Sequence, residues 1–135
     1  MTFEEFQKLS TEYLYLDGAT GSNLVKAGMP AGVCPEQWIL EHREVLLKLQ
    51  KQYVEAGADI LYAPTFTANR IKLAEYGLQD ELQDMVRRLT EISREAASCA
   101  GRFVYVAGDL TMTGAQLKPM GDMEPEELIS VYKEQ

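Results

Sequence analysis

Apolar residues follow two rhythms along this chain. Three short runs with little polar interruption, "YLYLDG", "ADILYAPTF" and "RFVYVAGDL", read as strands, the second apolar on both faces as a buried parallel strand is. Elsewhere the apolar positions recur every three or four residues. Phe3, Phe6 and Leu9 predict a short leading helix. Val45, Leu46, Leu49, Tyr53 and Val54 predict a helix that begins near Glu36 or His42 and runs to Ala56, with Gly57 where a C-terminal glycine belongs. A shorter helix, about Ala68 to Tyr76, ends at Gly77. The clearest stripe is Leu82, Met85, Val86, Leu89, Ile92 and Ala96; it predicts a helix from Asp80 to about Ser98, with Asp80 and Gln83 placed as an N-terminal cap. Pro125 suits the first position of a last helix that carries Leu128, Val131 and Tyr132 on its apolar side. Gly28, Pro30, Gly32 and Pro35 leave room for one helical turn after Ser22 and then a loop.

The order is one helix followed by βαβαβα, with strands starting near Tyr13, Ala58 and Phe103. Strand–helix units at so even a spacing imply parallel strands joined by right-handed crossovers. The expected fold class is therefore α/β. A complete (β/α)₈ barrel takes ~250 residues. The 135 residues here are expected to form the first portion of one, about three βα units behind a short N-terminal helix. An open three-stranded sheet leaves an edge and an apolar face uncovered, which favours association over a stable monomer.

Composition narrows the partners. The chain is 46% apolar and 25% charged, with a net charge of -8. That balance argues against nucleic acid or an anionic membrane, since phosphate binding needs a concentrated basic footprint. Arg87 and Arg88 come nearest to one, but they sit in an amphipathic helix and are expected to face solvent. Cys34 and Cys99 are far apart and in no CxxC spacing, so both are expected as free thiols of a reducing compartment. The N-terminus is acidic and amphipathic, without a basic leader or a long apolar run, and the expected location is the cytoplasm.

In parallel α/β folds chemistry collects where strands end. The first strand runs into Asp17-Gly18-Ala19-Thr20-Gly21-Ser22, with nothing bulky until Leu24. The second runs into Pro64-Thr65-Phe66-Thr67-Ala68-Asn69, and the third into Gly108-Asp109-Leu110-Thr111-Met112-Thr113. Jointly they describe a polar floor for a small zwitterionic or hydroxylated ligand. Asp17 can pair an ammonium group, and the amides of Gly18 to Ser22 can hold a carboxylate. Singly, each residue is explained as a cap or turn residue. Other chemistries lack their residues. Gly18-x-x-Gly21 is too short for a dinucleotide fingerprint, and Lys26 is misplaced for a P-loop. His42, the lone histidine, is expected to cap or pack, and with two distant cysteines it makes no zinc site or Ser-His-Asp triad.

Several segments, "LDGATGSNL", "EQWILEHREVLLKLQKQYVEAGADILYAPTFTANRIKLAEYGL" and "VAGDLTMTGAQLKPMGDMEPEELISVYKEQ", resemble the N-terminal part of the homocysteine S-methyltransferase family. Within it they are most similar to the homocysteine-binding module of cobalamin-dependent methionine synthases. The resemblance implies a TIM (β/α)₈ barrel that binds homocysteine at its strand ends. It also implies a Zn²⁺ held by three cysteines, which keeps the homocysteine sulfur as a thiolate. In that branch methylcobalamin and methyltetrahydrofolate act from other domains. The implied substrate contacts are Asp17 and Gly18 at the amino acid moiety, with Thr20, Gly21 and Ser22 lining the same pocket. Thr65, Phe66 and Asn69 fall on the second loop, Asp109 and Thr113 on the third. The zinc cysteines, and a glutamate that helps hold the amino group, are expected beyond Gln135. No catalytic residue, metal or cofactor is therefore expected within these 135 residues, and the isolated chain is expected to be inactive. The alternative is a non-catalytic partial barrel that binds a small amino acid or assembles with a partner, either the remaining barrel half or a second copy.

Overall fold

The computed structural model describes residues 2–9 and 13–135. In chain order the helices are α1 (Phe3–Leu9), α2 (Gly21–Lys26), α3 (Pro35–Glu41), α4 (Arg43–Glu55), α5 (Arg70–Ala74), α6 (Leu82–Ser98) and α7 (Pro125–Glu134). Strand β1 (Ile60–Tyr62) lies between α4 and α5, and β2 (Tyr105–Ala107) follows α6. The two strands pair in parallel, with Ile60 opposite Tyr105 and Tyr62 opposite Ala107. No helix among the described residues is long and apolar enough to cross a membrane.

The mixed α/β class and the parallel direction agree with the sequence pattern. The first strand does not form as expected. Its segment contributes one parallel bridge, Leu16 to Ile60. The Asp59 carboxylate accepts the Tyr15 amide at 3.0 Å, and Tyr13 and Tyr15 are 91% and 65% exposed. With that amide diverted to a side chain, the ladder stops after a single step, although the Asp17 amide still donates to the Ile60 carbonyl at 2.9 Å.

Three helices also depart from their expected bounds. Of the two starts expected for the helix up to Ala56, the one at His42 matches α4; the stretch from Glu36 belongs to a separate helix, because His42, with φ of -125° and ψ of 43°, is not helical. The His42 ring stacks on Trp38 at 4.2 Å, with Nδ1 2.9 Å from the Trp38 carbonyl oxygen, so this histidine packs. The Asp80–Gln83 cap is absent: a 3-10 turn over Gln79–Glu81 precedes α6, and Asp80 instead faces Arg70 at 3.7 Å. Helix α5 is shorter than its pattern because Asn69 caps it, Oδ1 accepting the Lys72 amide at 3.0 Å. The first helix spans the expected residues with Phe3 and Phe6 exposed; the Leu9 side chain lies outside what is described.

Helices α4 and α6 pack on each other and on β1. Leu46, Leu61, Leu89 and Ala96 are wholly buried between them, as the stripe on α6 predicts. Helix α4 ends with Gly57 at φ +105°; the Gly57 amide donates to Val54 and the Ala58 amide to Tyr53, which turns the chain into β1. Gln50 of α4, also fully buried, donates Nε2 to the Tyr62 carbonyl at 2.9 Å and fixes the far end of that strand. Arg87 and Arg88 lie on the solvent side of α6.

Truncating the centre of this packing measures its weight. Leu89→Ala is expected to lower the unfolding free energy by about 2–5 kcal/mol, read from urea denaturation.

Candidate functional site

Because β1 and β2 run the same way, their following segments emerge at one end of the sheet, where Asp17 also leaves the bridge with Ile60. A cleft of ≈ 480 Å³ opens there. Six of the ten residues singled out from the sequence line it: Asp17, Gly18, Thr20, Gly21, Phe66 and Asp109. The other four do not. Ser22 is exposed on α2. Thr65 is buried and ties two loops together, its Oγ1 donating to the Asp109 carbonyl at 2.9 Å and accepting the Asp109 amide at 3.1 Å. Asn69 is the buried cap of α5, and buried Thr113 accepts the Ala115 amide at 3.2 Å.

The charge of the cleft is one-sided. Asp17, Asp109 and Glu36 stand in its walls, and no Lys, Arg or His does among the described residues. Asp17 Oδ2 accepts the Tyr62 amide at 3.1 Å, and neither aspartate forms an ion pair among the described residues. Burial pushes the Asp17 carboxyl above the usual aspartate range; the Tyr62 amide opposes this and the nearby Asp109 charge adds to it. Burial raises Asp109 as well. The arrangement offers concentrated negative charge in a partly dry pocket, which suits a ligand cation.

Three side chains at this site were not singled out by the sequence pattern. Tyr53 sits on the apolar stripe of α4 and reads as core. Its hydroxyl donates to the Ala19 carbonyl at 2.9 Å and accepts from Asn23 Nδ2 at 3.2 Å. Its ring lies so close to Gly18 that a Cβ there would stand 2.9 Å from Cε1 and Oη, whereas a Cβ on Gly21 would meet nothing within 4 Å. Of the two glycines in "DGATG", the first is demanded by Tyr53 and the second leaves open space. Glu36 and Thr67 are the others; Glu36, beside the helix-starting Pro35, carries the signal of an ordinary first-turn acid.

The residues present do not fit a zinc ion. The Cys34 thiol is buried against Glu36 at 3.5 Å, Cys99 is exposed near the Glu95 carbonyl at the end of α6, and His42 is stacked on Trp38. Among the described residues no group of three His, Cys, Asp or Glu side chains is placed to hold a metal.

Residues 14–135 match the family model for homocysteine S-methyltransferase. The chain belongs to that family. Among characterised relatives it is 30% identical to the methionine synthase of Mycobacterium tuberculosis over 93% of its own length, and 28% identical to that of Mycobacterium leprae over 95%. It spans 11% of the length of each. Among solved structures the fold is similar to the Escherichia coli homocysteine methyltransferase MmuM. The TM-score is 0.62 with 24% identity to the oxidized form, over 76% of this chain and 38% of that one. The metallated form gives the same TM-score at 23% identity and 39% of its length.

Two outcomes follow for this family member. Gly18→Ala is expected to destabilise the fold by about 1–3 kcal/mol through the clash with Tyr53. Gly21→Ala, with free space and a better helix former at the start of α2, is expected to be neutral or stabilising; thermal melts of the pair distinguish them. For Asp17 the sign runs against the usual salt-bridged aspartate. A raised folded pKa means that the native state holds the proton more tightly, so stability falls as pH rises from the ordinary aspartate value through the raised one. Asp17→Asn keeps an oxygen for the Tyr62 amide. It is expected to unfold at a higher denaturant midpoint than the parent at pH 7, the gain vanishing near pH 3, below the unfolded aspartate value.

Proposed function

We propose that these residues are the opening portion of a (β/α)₈ barrel in a cytoplasmic, zinc-dependent methyltransferase of methionine synthase type, and that their cleft holds the amino acid end of homocysteine. The observation that carries the reading is the carboxylate-lined, cation-free cleft at the ends of parallel strands in a member of this family. An α-ammonium group entering it would meet Asp17, already oriented by the Tyr62 amide. Amides of the first loop, Gly18 to Ser22, would receive the carboxylate, with Thr20 and Gly21 beside them. Phe66, 52% exposed at the tip of the second loop, would lie over the side chain. Thr65, Asn69 and Thr113 would then serve by shaping the loops, since all three are buried behind the cleft wall.

The exposed backbone flanks support the incomplete barrel. Tyr15 and Leu16 on one side of the sheet, and Phe103 and Leu110 on the other, present apolar surface where further strands would continue it. Because no zinc ligand set is placed among the described residues, the part proposed for this chain is holding and orienting the substrate. Methyl transfer, with methylcobalamin and methyltetrahydrofolate as carriers, falls to other parts of the enzyme.

The test is homocysteine kinetics in the intact enzyme that carries these residues. Asp17→Asn is expected to raise the homocysteine KM about tenfold or more, the loss of one charge-assisted bond, with a smaller effect on kcat. An unchanged KM would remove Asp17 from the site. Chain 1–135 alone is expected to show no methyl transfer to homocysteine.

A further inference from the structure

Glu36 is a carboxylate held almost entirely out of solvent, 2% exposed, yet it forms no ion pair among the described residues; Lys72, which lines the same small pocket, pairs with Glu75 instead. The partners of Glu36 are three donors from two directions. Oε1 accepts both the amide of Thr67 at 2.9 Å and the Thr67 hydroxyl at 2.7 Å. Oε2 accepts the Cys34 thiol at 3.5 Å. Taking a carboxylate out of water is costly unless its oxygens are fully used, and here two of the three donors are supplied by a loop 31 residues further along the chain. An apolar residue would fill the same space on α3 without that cost. What it could not do is grip the backbone of the second loop.

That grip falls at a consequential place. Thr67 directly follows Phe66, and both line the cleft. On one side of them, Thr65 is fastened to Asp109 of the third loop. On the other, Asn69 is fastened to the first turn of α5. Between those anchors, Glu36 binds Thr67, the residue next to Phe66, through both its amide and its hydroxyl. We propose that Glu36 is a positioning residue: through Thr67 it holds the second loop as the wall of the cleft, and so sets homocysteine affinity without itself carrying the reaction. The affinity part of this rests on the proposed function above; the loop-holding part does not.

The two parts are separated by two readouts on Glu36→Ala, Glu36→Gln and Thr67→Val. Amide hydrogen exchange at Thr67 in the ligand-free chain reads the grip directly. Glu36→Ala is expected to speed it about tenfold or more, while Glu36→Gln, which keeps an acceptor oxygen, stays within about threefold of the parent. In the intact enzyme, Glu36→Ala is expected to raise the homocysteine KM about tenfold with kcat nearly unchanged, Glu36→Gln to recover most of that, and the Glu36→Ala/Thr67→Val double variant to be no worse than Glu36→Ala alone. Thr67→Val keeps the buried carboxylate with one donor fewer and carries the same comparison if Glu36→Ala does not fold. Unchanged exchange at Thr67 overturns the proposal. So does a Glu36→Gln variant as impaired as Glu36→Ala beside a neutral Thr67→Val, because Glu36 would then act on the ligand by charge. Altered exchange in a parent enzyme that does not use homocysteine would leave the grip standing and remove the substrate reading.

Discussion

Parallel pairing of Ile60–Tyr62 with Tyr105–Ala107, in a register that sets Tyr62 beside Ala107, obliges the chain to leave both strands at the same end. Everything at the cleft depends on that constraint. It requires a long return between the strands, and α6 supplies it, burying Leu89, Ile92 and Ala96 beneath the sheet. It also brings Asp109 within reach of Thr65, 44 residues earlier. Had the strands been antiparallel, the loops that follow them would have emerged at opposite ends and no common cleft would exist.

The register alone places the loops but does not shape them. Their shape comes from side chains that bind the backbone of a neighbouring segment: Asp17 on Tyr62, Thr65 on Asp109, Glu36 on Thr67 and Tyr53 on Ala19. Gln135 adds a fifth, its Nε2 donating to the Thr65 carbonyl at 2.7 Å. Each of these bonds is modest by itself, but each removes freedom from a segment whose own residues are too small or too polar to pack. The walls of the cleft are thus built from the outside inward. The same fact explains why so few of the small polar residues at the strand ends face the cleft: many are occupied as fasteners.

Sequence periodicity made the helices and both paired strands legible, because the stripe on α6 and the apolar run of β1 are direct consequences of burial. It overreached where tertiary contacts decide. The run at residues 13–18 has strand composition, yet the Asp59 carboxylate takes the Tyr15 amide and leaves one bridge, Leu16 to Ile60, in place of a ladder. The pattern left the start at Glu36 or His42 open, and could not show that both hold, one for each of two helices, with the His42 ring stacked on Trp38 at their junction. At the site, position in the loops pointed to Asp17 and the first-loop amides, and the family resemblance added Thr20, Gly21, Phe66 and Asp109, each of which lines the cleft. It could not mark Glu36 or Tyr53, which approach from helices whose patterns have bland local explanations. Nor could it tell that Gly18 answers to a tyrosine ring 35 residues away.

The electrostatics of the cleft give its chemistry a direction. Asp17 and Asp109 are each driven toward the protonated form by burial, and Asp17 further by its neighbour's charge. Charges on the distant surface contribute little, since at physiological salt their influence decays over ~8 Å. The effect is therefore local, arising from partly buried carboxylates with no basic side chain beside them in the cleft among the described residues. Burial and the neighbouring carboxylate both oppose ionisation of Asp17 there. A cation entering would be bound by the relief of that repulsion as well as by its own hydrogen bonds. An anion would meet the same field with the opposite sign, so under the proposed reading a zwitterion would enter with its ammonium group toward Asp17 and its carboxylate toward backbone amides. Orientation of the ligand then follows from charge placement before any close contact is made, and the fasteners that hold the loops are what keep that charge in place.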